Sequence, residues 1–268
     1  MLREDERERY GRHLVIPELG EEGQERLRVA SVLVVGVGGL GSPVALYLVA
    51  AGVGRLGLVD GDRVELSNLQ RQTLHSTADI GRPKTESAAE KLRALNPDVH
   101  LEPHQERFTA DNARDLVRAY DVVVTAVDNF ATRYLLNDVC VAEGKVLVEG
   151  AILRFNGMAM TIKGGETACY RCVFPEAPPA DAVLTTAEAG VFGPVPGIIG
   201  AVQAAEVIKV VVGFGEPLYN RLLQVDVADM SFHEVAVARA PDCPVCGRGS
   251  GTGDLSAGVG ASPSLEAT

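Results

Sequence analysis

Basic residues are scarce relative to acidic ones in this sequence. Its 268 residues include 25 Lys and Arg against 36 Asp and Glu, which gives a formal net charge of −11. No stripe rich in Lys and Arg is visible, and an acidic surface repels phosphates, so composition argues against a nucleic-acid partner. A small anionic ligand would need cationic side chains concentrated at its site.

Long hydrophobic runs are also absent. The longest apolar stretch, 196–215, is interrupted by Gln203, Glu206 and Lys209, so we interpret it as a buried amphipathic helix and not as a membrane span of about 20 apolar residues. The N-terminal segment MLREDERERYGRHL is charged throughout and lacks the apolar part of a signal peptide. These absences predict no membrane partner and a cytoplasmic location.

Cysteine is used sparingly, with five residues in the chain. Four of them form two C-x-x-C pairs, Cys169 with Cys172 and Cys243 with Cys246, whereas Cys140 lies in an apolar helix and is predicted to be a core residue. In a cytosolic chain, such pairs indicate metal binding rather than disulfides. Four thiolates suit a closed tetrahedral Zn²⁺ site of structural type. A redox pair and an iron–sulfur cluster are the alternatives.

The first half of the chain alternates between strand and helix patterns. Residues 5–29 predict one or two short helices. Strands are predicted over 31–36, 55–60, 99–103, 121–128 and 145–152, with helices over 40–51, 83–95, 109–119 and 131–143 between them. This repetition is typical of a Rossmann-like, doubly wound α/β sheet with parallel strands.

The pattern changes after residue 152. Segments 155–163, 221–227 and 231–238 alternate like antiparallel strands, separated by a loop over 174–190 and a helix over 197–213. Parallel strands extended by antiparallel ones fit one mixed sheet, so we predict a single domain over 1–247. Residues 248–268 are mostly Gly, Ser and Ala, and we predict a disordered tail because they have little to bury.

A glycine-rich turn follows the first strand, in the segment VLVVGVGGLGSPVA (32–45). Gly36, Gly38 and Gly41 complete G-x-G-x-x-G, and the helix starting near Leu40 would present free N–H groups to a phosphate. Asp60 ends the next strand, where a carboxylate can accept hydrogen bonds from ribose hydroxyls. The pattern predicts a nucleotide site and is compatible with NAD and with ATP; a tight turn without a ligand is the alternative.

Polar residues then gather just beyond Asp60. They are Arg63, Asn68, Gln70, Arg71, Gln72 and Lys84. Hydride transfer does not need such a cluster, whereas a triphosphate does, because Arg forks and a Lys point charge neutralise phosphate oxygens. A solvated polar loop explains the same composition, so composition does not decide between the two.

The motifs GVGGLGS, LVDGD, LSNLQRQ, GRPK and TAVDN, in this order, resemble the adenylating domain of the MoeB/ThiF/HesA family, bacterial relatives of ubiquitin-activating enzymes. The segment RYGRHL is similar to the family's N-terminal R-Y-x-R-Q, with His13 in place of Gln. The resemblance covers about residues 7–247. Its most specific parts are SNLQRQ and GRPK, not the glycines.

The resemblance implies an adenylyltransferase that uses ATP and Mg²⁺. Its substrate would be the C-terminal glycine carboxylate of a small β-grasp, ubiquitin-like sulfur carrier ending in Gly-Gly, activated as an acyl-adenylate with release of pyrophosphate. Carriers of molybdopterin, thiamine and tRNA-thiolation pathways are candidates. Because AMP is a good leaving group, such catalysis rests on positioning and charge neutralisation rather than on a protein nucleophile.

Residue roles follow from the same resemblance. Gly36, Gly38, Gly39 and Gly41 would shape the nucleotide loop, and Asp60 would hold the ribose. Asn68, Arg71 and Lys84 would contact the phosphates, and Gln72 would also belong to the nucleotide site. Asp128, with Asn129 beside it, would hold Mg²⁺ or orient the α-phosphate. Arg12 matches an arginine that the family supplies from the neighbouring subunit, which implies a homodimer with shared sites. An ion pair for Arg12 and a helix N-cap for Asp128 are the structural alternatives.

One position departs from the family. Many members carry a cysteine in a loop similar to L-T-C-x-E-A-G-V, where this chain has Thr186. A threonine hydroxyl is a much weaker nucleophile than a thiolate and cannot carry a persulfide. We therefore predict activation only, with an external sulfur donor in trans, which agrees with the absence of a fused rhodanese domain.

Three alternative functions stay open at this point. An NAD(P)-dependent oxidoreductase is supported only by the glycine turn and Asp60. A non-catalytic, dimeric binding protein of the same fold is suggested by Thr186. An RNA-modifying dehydratase of the same superfamily is disfavoured by the acidic charge.

Overall fold

A computed structural model describes residues 1–179 and 186–247 of the chain. Its strands are β1 (Ser31–Val35), β2 (Arg55–Val59), β3 (His100–His104), β4 (Val122–Thr125), β5 (Val146–Leu153), β6 (Asn156–Lys163), β7 (Arg221–Asp226) and β8 (Ser231–Ala236). They form one sheet in the order β3-β2-β1-β4-β5-β6-β7-β8. Pairing is parallel from β3 through β5 and antiparallel from β5 through β8. The predicted fold class is confirmed, and the predicted tail lies outside the described residues.

Helices connect and cover these strands. They are α1 (Glu4–Arg9), α2 (Gly11–Leu14), α3 (Gly20–Val29), α4 (Gly41–Ala51), α5 (Lys84–Leu95), α6 (Ala113–Arg118), α7 (Phe130–Ala142), α8 (Tyr170–Val173), α9 (Thr186–Ala189) and α10 (Pro194–Val212). Two short 3₁₀ turns, Leu66–Asn68 and Thr77–Asp79, interrupt the polar stretch between β2 and α5.

Two helix predictions were wrong in detail. The N-terminal region forms three helices rather than one or two, because the chain turns at Pro17 between α2 and α3. Helix α6 begins at Ala113 and not at Thr109. The side chain of Asn112 accepts a hydrogen bond from the Thr109 amide at 2.8 Å, and this local turn delays the start of the helix.

Helices pack on both faces of the sheet, as the uninterrupted apolar run of β1 requires. Val32 and Val34 belong to a core shared with α4, α5 and α10, whereas Leu33 and Val35 belong to a core shared with α6 and α7. The continuous apolar run of β1 is therefore buried on both sides, as in other doubly wound sheets.

Helix α10 is long and apolar enough to cross a membrane by length and composition, the one such helix in the part of the chain that the structure describes. Half of its window is nonetheless buried inside the protein, and it packs along α4, β5 and β6. The prediction of a buried helix is confirmed by this packing. Core helices can be as long and as apolar as a membrane-spanning helix.

The order of the strands creates a crevice at the carboxyl edge of the sheet. Strands β1 and β4 are neighbours, but the chain leaves β1 toward β2 on one side and leaves β4 toward β5 on the other. Ligands of open α/β sheets bind at such a switch point.

Candidate active site

The turn after β1 adopts a backbone that requires glycine at two positions. Gly36 has a φ of +97°, and a Cβ there would lie 2.4 Å from the carbonyl oxygen of Ala126. A Cβ on Gly41 would lie 2.0 Å from the carbonyl oxygen of Gly36. Both residues therefore allow the turn to close tightly against β4 and the start of α4. Gly41 acts through this packing and does not itself line the cavity described below.

The next amides of the turn are free to bind an anion. Gly38, Gly39 and Leu40 line the cavity, and within residues 1–179 and 186–247 their N–H groups donate to no protein acceptor. Helix α4 begins immediately afterwards, so its positive end points to the same place. Free amides at a helix N-terminus form an anion site.

Asp60 fixes this turn from the end of β2. Its Oδ2 accepts a hydrogen bond from the Val37 amide at 2.8 Å, and its Oδ1 accepts one from the Asp62 amide at 2.8 Å. The carboxylate also lines the cavity. Each oxygen keeps a further lone pair, so Asp60 can accept hydrogen bonds from a ligand hydroxyl while it holds the loop.

Two cationic side chains flank the turn. Lys84 starts α5, and its ammonium group lies 3.2 Å from Oδ2 of Asp62 in a largely buried setting. Arg71 donates to the Ser67 carbonyl at 3.1 Å and packs close to Gly39. Both side chains line the cavity. The fold therefore brings together two predicted cations of the kind that bind a polyphosphate.

Gln72 contributes a buried polar atom that has no hydrogen-bond partner among the residues that the structure describes. The residue is 5% exposed and lies beside Gly38, and its Oε1 accepts no hydrogen bond. A buried acceptor left without a donor costs about 1–3 kcal/mol. A ligand or hydrated ion that donates to this oxygen would satisfy it.

Asp128 and Asn129 divide two roles at the end of β4. Asn129 caps α7 by accepting a hydrogen bond from the Thr132 amide at 2.9 Å. The Asp128 carboxylate lines the cavity, and no hydrogen bond or ion pair engages it within the described ranges. The alternative in which Asp128 serves as the helix cap is therefore wrong.

Sequence reasoning missed Arg133, which supports this strand end. Its guanidinium is buried against Glu149 and donates to the carbonyl oxygens of Val127 at 3.0 Å and Gly150 at 3.1 Å. Burial raises the pKa of Glu149, and the pairing with Arg133 opposes that shift. Arg133 thus fixes the residue before Asp128. The signal was weak, because an arginine inside a helix is usually exposed.

The predicted residues meet in a cavity of about 1510 Å³ at the switch point. Its lining includes Gly36, Gly38, Gly39, Asp60, Arg71, Gln72, Lys84, Asp128 and Asn129. Phe108 and Thr109, which follow β3, also line it and were missed, although their position at the carboxyl edge of the sheet would have indicated them.

Asn68 and Arg12 lie apart from this lining. The Asn68 side chain accepts a hydrogen bond from the Glu65 amide at 3.1 Å and so closes its own 3₁₀ turn. Arg12 is exposed on α2, and no acidic side chain among the described residues pairs with it. The ion-pair alternative for Arg12 is therefore unsupported, and its predicted role remains a prediction about another subunit.

The cavity continues across the antiparallel half of the sheet, which was not predicted as part of the site. This extension is lined by Ile152, Asn156, Met158, Val191, Gln224 and Ser231. Its lining includes the exposed Leu153. Phe155 and Phe192 follow the lining residues Leu153 and Val191 closely in the chain, are exposed, and pack together with ring centroids 5.5 Å apart, so that the three side chains form an apolar rim. Nothing in a single strand pattern marks a groove that arises from the pairing of four strands, β5 to β8.

The four paired cysteines converge away from this cavity, as predicted. Their sulfur atoms all lie within 4.8 Å of one another, with Cys169 Sγ 3.9 Å from Cys172 Sγ and 3.7 Å from Cys243 Sγ. Tetrahedral zinc with bonds of about 2.3 Å requires sulfur–sulfur separations of about 3.8 Å. The Ala240 amide donates to Cys172 Sγ, a typical outer contact of a metal thiolate. Cys140 lies in the core instead.

The four-cysteine cluster is joined to the helix that follows Asp128. Asn137 of α7 accepts a hydrogen bond from the Tyr170 amide at 2.8 Å, and Asp138 pairs with Arg171 at 2.7 Å. These contacts hold the segment between Cys169 and Cys172 against α7, the helix that begins at the end of the loop after β4.

Comparison with known proteins agrees with the site. The sequence model of the ThiF family matches residues 10–245. The chain belongs to the ThiF family.

Curated ThiF-family relatives are similar over most of this chain. The sulfur carrier protein adenylyltransferase of Thermus thermophilus is 52% identical over 248 residues, covering 91% of this chain and 92% of that protein. The SAMP-activating enzyme E1 of Haloferax volcanii is 52% identical over 242 residues, covering 90% and 89%. The adenylyltransferase and sulfurtransferase MOCS3 of Sus scrofa is 51% identical, but the match spans 54% of its length.

Solved structures share the fold. Escherichia coli MccB with ATP superposes with a TM-score of 0.72 at 26% identity, covering 84% of this chain and 69% of that chain. MccB in complex with N-formylated MccA gives a TM-score of 0.74 at 26% identity, covering 84% and 70%.

Proposed function

We propose that this ThiF-family chain is an ATP-dependent adenylyltransferase that activates the C-terminal carboxylate of a small ubiquitin-like sulfur carrier. The observation that carries the proposal is the cavity in which free glycine-turn amides, Arg71 and Lys84 face the unpaired carboxylate of Asp128. Relatives named as adenylyltransferases of sulfur carriers, at 52% identity over nearly their full length, support the same activity.

The reaction balances without a protein nucleophile. A carboxylate oxygen of the carrier attacks the α-phosphorus of ATP, the bond to the β-phosphate oxygen breaks, and pyrophosphate leaves with that electron pair. The product is an acyl-adenylate. Developing negative charge on the phosphates is neutralised by Arg71, Lys84 and the turn amides, which are already oriented and need little reorganisation.

The nucleotide fits the residues on both sides of the turn. Asp60 would accept hydrogen bonds from the ribose hydroxyls, and Gly38 leaves room for the phosphates to approach the backbone. Lys84 would exchange its contact with Asp62 for a phosphate oxygen.

Mg²⁺ fits the acidic side of the cavity. Asp128 offers a free carboxylate, and the unpaired Oε1 of Gln72 could accept a hydrogen bond from a water of a hydrated cation. The ion would supply charge neutralisation for the triphosphate when bound. Zn²⁺ fits the separate four-cysteine cluster, where it would have a structural role.

The groove over the antiparallel strands suits the extended C-terminus of the carrier. It runs from the apolar rim at Phe155 and Phe192 toward the phosphate side of the cavity. A Gly-Gly end lacks side chains and would pass along Gly157 and Met158 to bring its carboxylate to the α-phosphate. This geometry favours a flexible peptide end as the second substrate.

The remaining components are also proposals. Arg12, which is exposed and has no acidic partner within residues 1–179 and 186–247, would complete the site of a second subunit in a homodimer. Thr186, at the start of α9, lacks the thiol chemistry of the family cysteine, so sulfur would come from an external donor. A reducing cytoplasm would keep the four cysteine ligands available for metal.

Carrier-dependent exchange of radiolabelled pyrophosphate into ATP tests the proposal. We expect exchange with a carrier that ends in Gly-Gly and none when its last glycine is removed. Tight binding of NADH together with no binding of ATP would overturn it in favour of an oxidoreductase.

A further inference from the structure

A buried histidine holds the glycine turn from below. His75 is 7% exposed and lies within the polar stretch that connects β2 to α5. Its Nε2 lies 3.0 Å from the carbonyl oxygen of Val37, and its Nδ1 lies 2.9 Å from Oγ of Ser87. No role for this residue follows from the glycine motif, and His75 does not line the cavity.

The hydrogen-bond partners determine which nitrogen carries the proton. A carbonyl oxygen can only accept, so Nε2 of His75 must be the donor to Val37. Lys91 Nζ, which can only donate, lies 2.9 Å from the Ser87 hydroxyl oxygen. With one lone pair of the hydroxyl occupied by Lys91, the hydroxyl proton of Ser87 can be donated to a bare Nδ1. These contacts together fit one neutral tautomer.

The surrounding charges favour that neutral form. Burial lowers the pKa of His75, and the nearby ammonium groups of Lys91 and Lys84 lower it further, against the opposing effects of the hydrogen bond to the Val37 carbonyl and of Asp79. Lys91 is itself held by Asp79. Although burial disfavours the charged Asp79, hydrogen bonds from Lys91 and Ser76 lower the pKa of its carboxyl.

Val37 is therefore held through both of its peptide groups. Its amide donates to Asp60 at 2.8 Å, and its carbonyl accepts from His75 at 3.0 Å. With these two groups occupied, the orientation of the following peptides is set, and the free amides of Gly38 and Gly39 face the cavity.

We propose that His75 is a positioning residue for the triphosphate: through its Nε2–H bond to Val37 it fixes the turn whose amides bind the phosphates. Ser87 and Lys91 act behind it by keeping Nδ1 unprotonated. This inference rests on the proposed adenylyltransferase function, and it concerns the affinity for ATP rather than for the carrier.

The decisive comparison uses three variants of the full chain. His75→Phe keeps a planar ring but removes the donor, His75→Gln returns an amide donor near the position of Nε2, and His104→Phe is the matched control. His104 bonds Tyr120 at 3.1 Å and does not touch the turn with its side chain. Carrier-dependent pyrophosphate exchange is measured while ATP and carrier are varied in turn.

For His75→Phe we expect the KM for ATP to rise about tenfold, as the loss of one hydrogen bond implies, while the KM for the carrier is unchanged. His75→Gln should recover the wild-type KM for ATP to within about threefold. His104→Phe should leave both KM values at the wild-type level. Equal ATP affinities for His75→Phe and His104→Phe would overturn the proposal.

Imidazole nitrogen NMR supplies a readout that does not depend on turnover. The spectrum of the wild-type chain should show a protonated Nε2 and a bare Nδ1 for His75, with His75→Gln used to assign the signals. The opposite tautomer, or a doubly protonated ring at neutral pH, would contradict the assignment even if the variants lost activity. If the wild-type chain shows no exchange with any carrier, the proposed function fails, whereas the tautomer result is unaffected.

Discussion

Asn129 accepts a hydrogen bond from the backbone amide of Thr132 at 2.9 Å and so caps helix α7. The adjacent Asp128 carboxylate is left without a protein partner among the described residues and faces the cavity. Asn129 thus has a structural role as the helix cap, whereas the Asp128 carboxylate is left available to a ligand.

Substitution at these two positions should therefore affect different properties. Asp128→Asn keeps the shape of the side chain but removes its charge, and we expect pyrophosphate exchange to fall at least 100-fold with little change in melting temperature. Asn129→Ala removes the cap and should cost about 1 kcal/mol of unfolding free energy while leaving most of the activity. Exchange kinetics and thermal denaturation measure both, and the reverse assignment would contradict the division of roles.

Pyrophosphate exchange should depend more on Lys84 than on Asp62, the carboxylate that pairs with it. Lys84→Met removes the buried ammonium group and is expected to lower exchange by about 100-fold or more, because a phosphate charge loses its partner. Asp62→Asn weakens the competing contact at 3.2 Å and should change exchange by less than about threefold. A comparable loss in both variants would indicate that the pair itself, and not Lys84 alone, serves the reaction.

The four-cysteine cluster should carry one zinc ion per chain. Cys243→Ser is expected to abolish stoichiometric zinc and to lower the melting temperature by roughly 5–10 °C. Cys140→Ala is the matched control, since Cys140 is buried in the core but is not one of the four converging cysteines, and it should retain the metal. Elemental analysis of the purified chains decides the point; zinc retained at full stoichiometry in Cys243→Ser would contradict the site.

Shared sites in a dimer can be tested by complementation. We expect Arg12→Ala and Lys84→Met to be inactive alone, because each removes one part of every site. Co-expression of the two chains with different tags should restore about a quarter of wild-type activity, since half of the dimers are mixed and each has one intact site. If Arg12 acted within its own chain, the mixture would stay inactive.

Acid stability should depend on Glu102. Hydrogen bonds from Arg55 at 2.6 Å and Tyr120 at 2.7 Å lower the pKa of its carboxyl from 4.5 to about 2. Because this pKa is lower in the folded state than in the unfolded state, ionised Glu102 stabilises the protein above about pH 4.5. This stabilisation is lost as the pH falls toward 2. Glu102→Gln should cost about 2 kcal/mol at pH 7. The difference from wild type in urea denaturation should narrow between pH 5 and pH 3; a constant difference would contradict this origin.

The architecture was predictable because the strand patterns are local. The double-sided apolar run of β1 and the alternation of β6 each indicate how their strand is buried, and the mixed sheet follows from their order along the chain. Helix limits were less predictable where a single side chain decides them, as Asn112 does for α6.

The site was predictable in its charged and glycine residues but not in its supports. Arg71, Lys84 and Asp128 follow motifs whose spacing is visible in sequence. His75 and Arg133 act by donating hydrogen bonds to the carbonyl oxygens of Val37 and Val127, and such contacts depend on the folded backbone alone. Asn68 belongs to a clear motif and was predicted to contact the phosphates, but its side chain closes its own turn and does not line the cavity.

The choice between Asp128 and Asn129 as helix cap illustrates the same limit. Both side chains can accept a hydrogen bond from a backbone amide, so the sequence leaves the assignment open. The backbone of Asn129 is extended and starts α7 at Phe130, which decides it.

Detection of the acyl-adenylate on the carrier tests whether this chain is an adenylyltransferase. The purified chain is incubated with ATP, Mg²⁺ and a Gly-Gly carrier, and the carrier is examined by intact mass spectrometry after rapid acid quenching. We expect a carrier heavier by one adenylyl group, one pyrophosphate released per adduct, and neither product with Asp128→Asn or with a carrier lacking its last glycine. A carrier of unchanged mass, together with ATP that is bound but not cleaved, would contradict the proposed activity.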